Sequence, residues 1–188
     1  MPRDDQQRTP VTMNQHAFLT MMAQLAAQSE GRREAGAFLL GAKDRRNGTS
    51  AVATVTAVEY YCDLDPTSLT GGITFHASGY SRLNRICRDQ GLRVVGDIHL
   101  HPGAWTRQSQ TDSDHPMVAR AGHLALIAPN FGAGVRSARR LGAHLKSTSS
   151  WESFTDHEVD AVFLVKPTIR GAVLRLRSIL SERFRRGR

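Results

Sequence analysis

At 188 residues with 40% hydrophobic content, the chain is long enough to bury one well-formed core, and length argues for a single domain. No stretch approaches the roughly 18–20 uncharged apolar residues of a membrane span, and the opening MPRDDQQRTP lacks the apolar run of a signal peptide, so a soluble, cytoplasmic protein with no membrane partner is expected. The net charge of +8 is concentrated at the end, where seven arginines between Arg170 and Arg188 face the single acid Glu182; such an arm can be a solvated helix face or a partner site, and without interleaved aromatics it is a poor candidate for nucleic acid.

In chain order, residues 1–11 read as a flexible tail. Thr12 or Asn14 can cap a helix whose apolar positions Phe18, Met21, Met22 and Leu25 share one face. EAGAFLLG, short and apolar, suits a buried strand. KDRRNGTS carries the reversal signal Asn47-Gly48 and leads into the β-branched run AVATVTAVEYY, predicting a hairpin. Residues 62–72 are turn-rich and read as a surface loop. Ser78 can cap a second helix, lined by Tyr80, Leu83, Ile86 and Cys87 and closed by Gly91. LRVVGDIHLH reads as a strand. A short helix over 114–121, the strands HLALIAP and LGAHLK, a loop holding Trp151, the strand VDAVFLV and a basic amphipathic helix with Ile169, Val173, Leu176 and Leu180 on one face complete the chain. Helices and strands mix without βαβ alternation, which predicts an α+β fold with a mixed sheet flanked by helices. The expected division is a tail over 1–11, a domain over 12–167 and a basic helix or arm over 168–188. Cys62 and Cys87 lack metal or redox spacing and read as small half-buried thiols.

In the strand LRVVGDIHLH, alternation projects His99 and His101 together while Ile98 and Leu100 face the other way. Two adjacent imidazoles are either polar residues on a solvated face or a chelate. The Pro102-Gly103 turn that follows lets the chain double back and bring Asp112 alongside. Two histidines and one carboxylate leave a fourth tetrahedral position of zinc open, as catalytic sites require. Ser109 and Asp112 also fit a helix cap, with Asp114 or Ser113 able to take that duty instead. Metallo-β-lactamase-like hydrolases, which carry an Asp and a further His directly after the pair, fit poorly. An amidohydrolase barrel does not fit in the residues that remain, and the deaminase signature is absent.

The full arrangement of Glu34, His99-Leu100-His101, the seven residues Pro102 to Gln108, and Ser109-Gln110-Thr111-Asp112 resembles the JAMM (JAB/MPN) zinc metalloprotease family. Its signature is an upstream Glu, then His-x-His, seven residues, Ser, two residues and Asp. EAGAFLLG is also similar to the family's strand ending in Leu-x-Gly, and the likeness spans roughly residues 12–165. Leu100 departs from the Ser or Thr more usual there. The resemblance implies the layered, cytidine-deaminase-like JAB/MPN fold, with 12–167 as a catalytic domain. It also implies one Zn²⁺ per chain on His99, His101 and Asp112, Glu34 as the proton carrier from water to the departing amine, and Ser109 as donor to the developing oxyanion. Asp97, one alternation before His99, is a candidate to orient a ligand imidazole. Trp105 is either a groove wall or a pin for its loop; His16, His76, His115, His123, His144 and His157 read as structural or exposed.

The segment from Gly71 to Gly103 and the trailing SQTDSDHP look like the bacterial branch found in ubiquitin-like conjugation operons, including antiphage ones. That likeness implies an isopeptidase acting after the C-terminal glycine of a ubiquitin-like protein, with E1-like and E2-like partners. Release of an amino acid from a sulfur-carrier protein is a second implication of the family, and a non-catalytic MPN scaffold a third.

Overall fold

The computed structural model describes residues 10–42, 52–70 and 72–168. The Asn47-Gly48 turn, most of the N-terminal tail and the amphipathic arm from Ile169 lie outside them.

An eight-stranded mixed sheet organises the described residues. Its strands are β1 (Val11–Asn14), β2 (Gly36–Ala42), β3 (Ala53–Tyr60), β4 (Leu92–Leu100), β5 (Leu124–Ala128), β6 (Gly142–Lys146), β7 (Trp151–Phe154) and β8 (Phe163–Lys166), in the spatial order β7-β6-β5-β4-β2-β3-β1-β8. The helices are α1 (Gln15–Ser29), α2 (Tyr61–Leu64), α3 (Ala77–Asp89) and α4 (Gln110–Asp114). The fold is α+β. Among the described residues no helix is long and apolar enough to cross a membrane.

β2 sits centrally, antiparallel to both β3 and β4. It is apolar throughout because both of its faces are covered. Ala37 and Leu39 join the cluster under α1 that includes Phe18, Met21 and Leu25, whereas Phe38 and Leu40 join Tyr61, Leu64 and Leu83 beneath α2 and α3. β4 follows the same alternation: Ile98 and Leu100 enter the α1 side, which turns Asp97 and His99 to the opposite face. β4 then pairs in parallel with β5, His99 opposite Ile127. A parallel pair needs a long crossover rather than a hairpin, and residues 101–123 supply it.

Several boundaries differ from the sequence expectations. Asn14, not Thr12, caps α1: its side chain accepts from His16 N at 2.8 Å. Val11 is buried in β1 and belongs to the sheet rather than the tail. Ser78 lies inside α3, whose N-cap is His76. The helix expected at 114–121 forms earlier, over Gln110–Asp114, and stops where Pro116 denies its preceding residue helical geometry; His115 takes φ −126°, ψ 58°. In VDAVFLV only Phe163 onward is strand. A 3-10 turn over Asp156–Ala161 precedes it, started by a capping box between Thr155 and Glu158. Trp151 opens β7 instead of sitting in a loop.

Candidate metal centre

The crossover begins at His101 and brings Asp112 back to the end of β4. His99 Nε2 lies 3.1 Å from His101 Nε2. Asp112 Oδ2 is 3.3 Å from His101 Nε2, and its Oδ1 is 3.5 Å from His99 Nε2. These three residues form a group able to hold a metal ion. Donor atoms at the roughly 2.0–2.2 Å of zinc–nitrogen and zinc–oxygen bonds, set tetrahedrally, lie about 3.3–3.6 Å apart; the two separations to the Asp112 oxygens fall in that range and the one between the imidazoles just below it, so the group is close in size to three vertices of a tetrahedral site.

Two features hold the triangle. His101 is fixed through its backbone, its N–H donating to Ala128 O and its carbonyl accepting from Phe131 N, both at 2.8 Å. Asp112 is held by a capping box: Ser109 N donates to Asp112 Oδ2 at 2.7 Å, and Asp112 N donates to Ser109 Oγ at 3.1 Å. Asp112 is therefore cap partner and candidate ligand at once, and neither Ser113 nor Asp114 takes over the capping.

The charges suit a cation. Burial works against ionising Asp112, but its contacts with His101 and His99 outweigh that and hold the carboxyl well below the usual range. Burial likewise opposes a charged His99, and the Asp112 carboxylate overrides it, aided by Asp97 and Glu34, so the imidazole is pushed up.

Glu34 arrives from a distant part of the sequence. Leu100 N donates to Ala35 O at 2.9 Å, and Gly36 pairs with His99 in the β2–β4 register, which sets Glu34 beside the candidate ligands. Gly36 has no room for a side chain: a Cβ there would lie 2.3 Å from the Tyr61 ring and 2.7 Å from Ile98 O. Desolvation raises the Glu34 carboxyl above its usual range, against the pull of His99 and His101. Glu34, His99, His101, Ser109 and Asp112 line one cavity of about 380 Å³.

No family model matches the chain. Its fold recurs in solved structures. A solution structure of a Desulfitobacterium hafniense protein is 17% identical with a TM-score of 0.55, covering 86% of this chain and 97% of that one. One from Salinibacter ruber is 18% identical with a TM-score of 0.51, covering 85% and 93%. A more distant structural neighbour is a JAB1/MPN domain protein from Archaeoglobus fulgidus, 17% identical with a TM-score of 0.39, covering 80% and 92%.

Around the candidate ligands, Trp105 is 52% exposed, its ring 5.2 Å from that of His101 and tilted by 43°. It is a wall of the cavity. Trp151 also lines the cavity, with Nε1 3.4 Å from Ser113 O; as a strand residue beside the site it carried no motif to mark it. His115 lines the same space. Asp97 does not orient a ligand imidazole through a hydrogen bond: it accepts from Tyr61 OH at 3.1 Å and pairs with His123 Nε2. Both Asp97 and His123 are buried, as is His144, so these histidines are structural rather than exposed. His76 pairs with Asp65, which burial leaves no freer to protonate: bonds from His76 N and Thr67 hold its carboxyl far below the usual range.

Proposed function

We propose that the chain is a zinc-dependent JAMM-type peptidase that hydrolyses the amide or isopeptide bond after the C-terminal glycine of a ubiquitin-like protein. The sheet is then the JAB/MPN layered fold, with 12–167 as its catalytic domain. The observation that carries the reading is convergence: Glu34, 65 residues before His99 in the chain, lines the same cavity as the His99–His101–Asp112 triangle, in the order and spacing of the family signature.

His99, His101 and Asp112 would hold a divalent cation, which would supply Lewis acidity and lower the pKa of water. Glu34 would accept a proton from the attacking water and pass it to the departing amine, so that the carbonyl carbon gains hydroxyl as the C–N bond breaks and the nitrogen leaves protonated. Ser109 Oγ accepts from Asp112 N, which leaves its own proton for the developing oxyanion. Trp105 and Trp151 wall the cleft. The likeness to the operon-associated branch directs the activity to a bacterial conjugation system with E1-like and E2-like partners, antiphage systems among them, in the cytoplasm.

The test is cleavage of a ubiquitin-like fusion encoded beside this gene, with and without chelator, alongside metal analysis. Glu34→Gln retains about one zinc per chain and loses hydrolysis, whereas His99→Ala and Asp112→Ala lose both. A purified chain that binds no metal, or a Glu34→Gln protein that cleaves as fast as wild type, overturns the reading.

A further inference from the structure

One buried imidazole beside the cleft is not used by the chemistry above. His144, on β6 and 2% exposed, has Nε2 2.8 Å from Thr106 O and Nδ1 2.9 Å from Ser153 Oγ. A carbonyl only accepts, so Nε2 carries the proton; Nδ1 must then accept, and the Ser153 hydroxyl donates to it. Burial pushes the imidazole's pKa down, which favours the neutral ring. Both nitrogens are thus committed, and the ring is a fixed link between β7 and the segment leaving the metal centre.

That segment, 102–109, runs from one candidate ligand to Ser109. Its start is held by Asn130 N donating to Gly103 O at 2.8 Å, and its end by the Ser109–Asp112 capping box. The His144 bond holds its middle. The fit there is close: a Cβ on Gly142 would lie 2.0 Å from Thr106 O, so the segment rests directly on the β6 backbone. Thr106 adjoins Trp105, which faces His101 with about half its surface in water. A side chain so exposed gains little from burial to hold it in place, and a tether one residue away supplies the restraint.

We propose that His144, oriented by Ser153, is a positioning residue that fixes Trp105 as the wall of the cleft against which the substrate polypeptide lies. This rests on the peptidase reading for its kinetic consequence, though the tether itself is open to measurement in the protein without turnover. Because Ser109 is secured independently by the capping box, loosening the middle of the segment acts on substrate binding more than on the chemical step.

Two substitutions of similar size separate the tether from general packing. The amide nitrogen of Gln stands near the position of Nε2, so His144→Gln keeps the donor to Thr106. Asn reaches only as far as Nδ1, so His144→Asn keeps the Ser153 side and loses Thr106. In a Trp151→Phe background, acrylamide quenching reports Trp105 alone. His144→Asn is expected to raise its quenching constant about twofold, with His144→Gln close to the parent. With a fluorogenic peptide ending in Gly-Gly-aminocoumarin, His144→Asn raises KM about tenfold with kcat within about threefold. Trp105→Ala does the same, and the double variant adds nothing further, as residues acting through one contact require. Equal quenching in the Asn, Gln and parent proteins overturns the tether. If quenching behaves as expected but the parent hydrolyses no peptide, the tether stands and the peptidase reading fails. KM effects of His144→Asn and Trp105→Ala that multiply in the double variant overturn the positioning role.

Discussion

Ser109 offers a way to separate architecture from chemistry at one side chain. Its hydroxyl oxygen caps α4 by accepting from Asp112 N at 3.1 Å, while its proton is assigned here to the oxyanion. Replacing an N-cap Ser with Ala costs about 1 kcal/mol, and replacing it with Gly only a few tenths. In a chain of this size 1 kcal/mol corresponds to roughly 2–4 °C in Tm. Ser109→Ala therefore lowers Tm by about 2–4 °C and Ser109→Gly by about 1 °C. Loss of an oxyanion donor costs about 2.7–4 kcal/mol, or roughly 10²–10³ in kcat, and both variants lack the hydroxyl, so both fall by that factor despite their different stabilities. Asp112 stays in place in each, because the bond that orients its carboxylate comes from the Ser109 backbone N–H; zinc affinity should change less than about threefold. Ser109→Thr keeps hydroxyl and cap, and most of the rate. Calorimetry, chelator competition and peptide kinetics on the three variants make the comparison. A Ser109→Gly enzyme with near wild-type kcat would refute the argument and reduce Ser109 to a cap.

In the metal-free protein the Glu34 carboxyl, raised by burial, should titrate above the ordinary value of about 4.3, and added zinc should bring it down because a nearby cation favours the carboxylate; ¹³C NMR of labelled glutamate follows both, and a Glu34 that titrates normally without metal contradicts the desolvated placement. Zinc at about 100 times its Kd adds roughly 2.7 kcal/mol of stability, so thermal melts should shift upward by about 5–11 °C and return with chelator. Gly36→Ala forces a Cβ into the Tyr61 ring and Ile98 O; overpacking of this kind costs about 1–3 kcal/mol, and urea unfolding with no loss of stability would show that β2 has room after all. Asp97→Ala strands Tyr61 OH and His123 Nε2 in the interior, a loss of about 1–3 kcal/mol for each unsatisfied group that chemical denaturation reads directly.

The candidate site is legible in the sequence because most of its pieces are short-range patterns. His-x-His on a strand fixes two imidazoles on one face by alternation, and a Pro-Gly turn with a Ser-x-x-Asp cap fixes where the carboxylate returns. Glu34 was reachable only through the family signature, since its closeness to His99 depends on the β2–β4 pairing, a contact between distant parts of the chain. Long apolar runs such as that of β2 and amphipathic α1 also read correctly. What stayed hidden depended on context. β1 is four residues long and stable only as a rung between β3 and β8. Trp151 looked like loop because nothing local marks a short edge strand. The helix after Ser109 was displaced because the stop at Pro116 outweighed the apolar residues beyond it. His144 and His123 gave no spacing signal at all: each owes its role to a partner on another strand.

The parallel pairing of β4 and β5 has a further implication for how such a protein could change over time. Because two strands running the same way can never be joined by a tight bend, the excursion over residues 101–123 must exist whether or not it performs any chemistry. The scaffold's stability accordingly makes few demands on the sequence of that excursion, beyond the backbone contacts at its ends and at Thr106 and the packing of Met117 and Val118. Loss of a ligand there would leave a stable shell free to acquire another task, and new specificities could accumulate in the stretch without renegotiating the core.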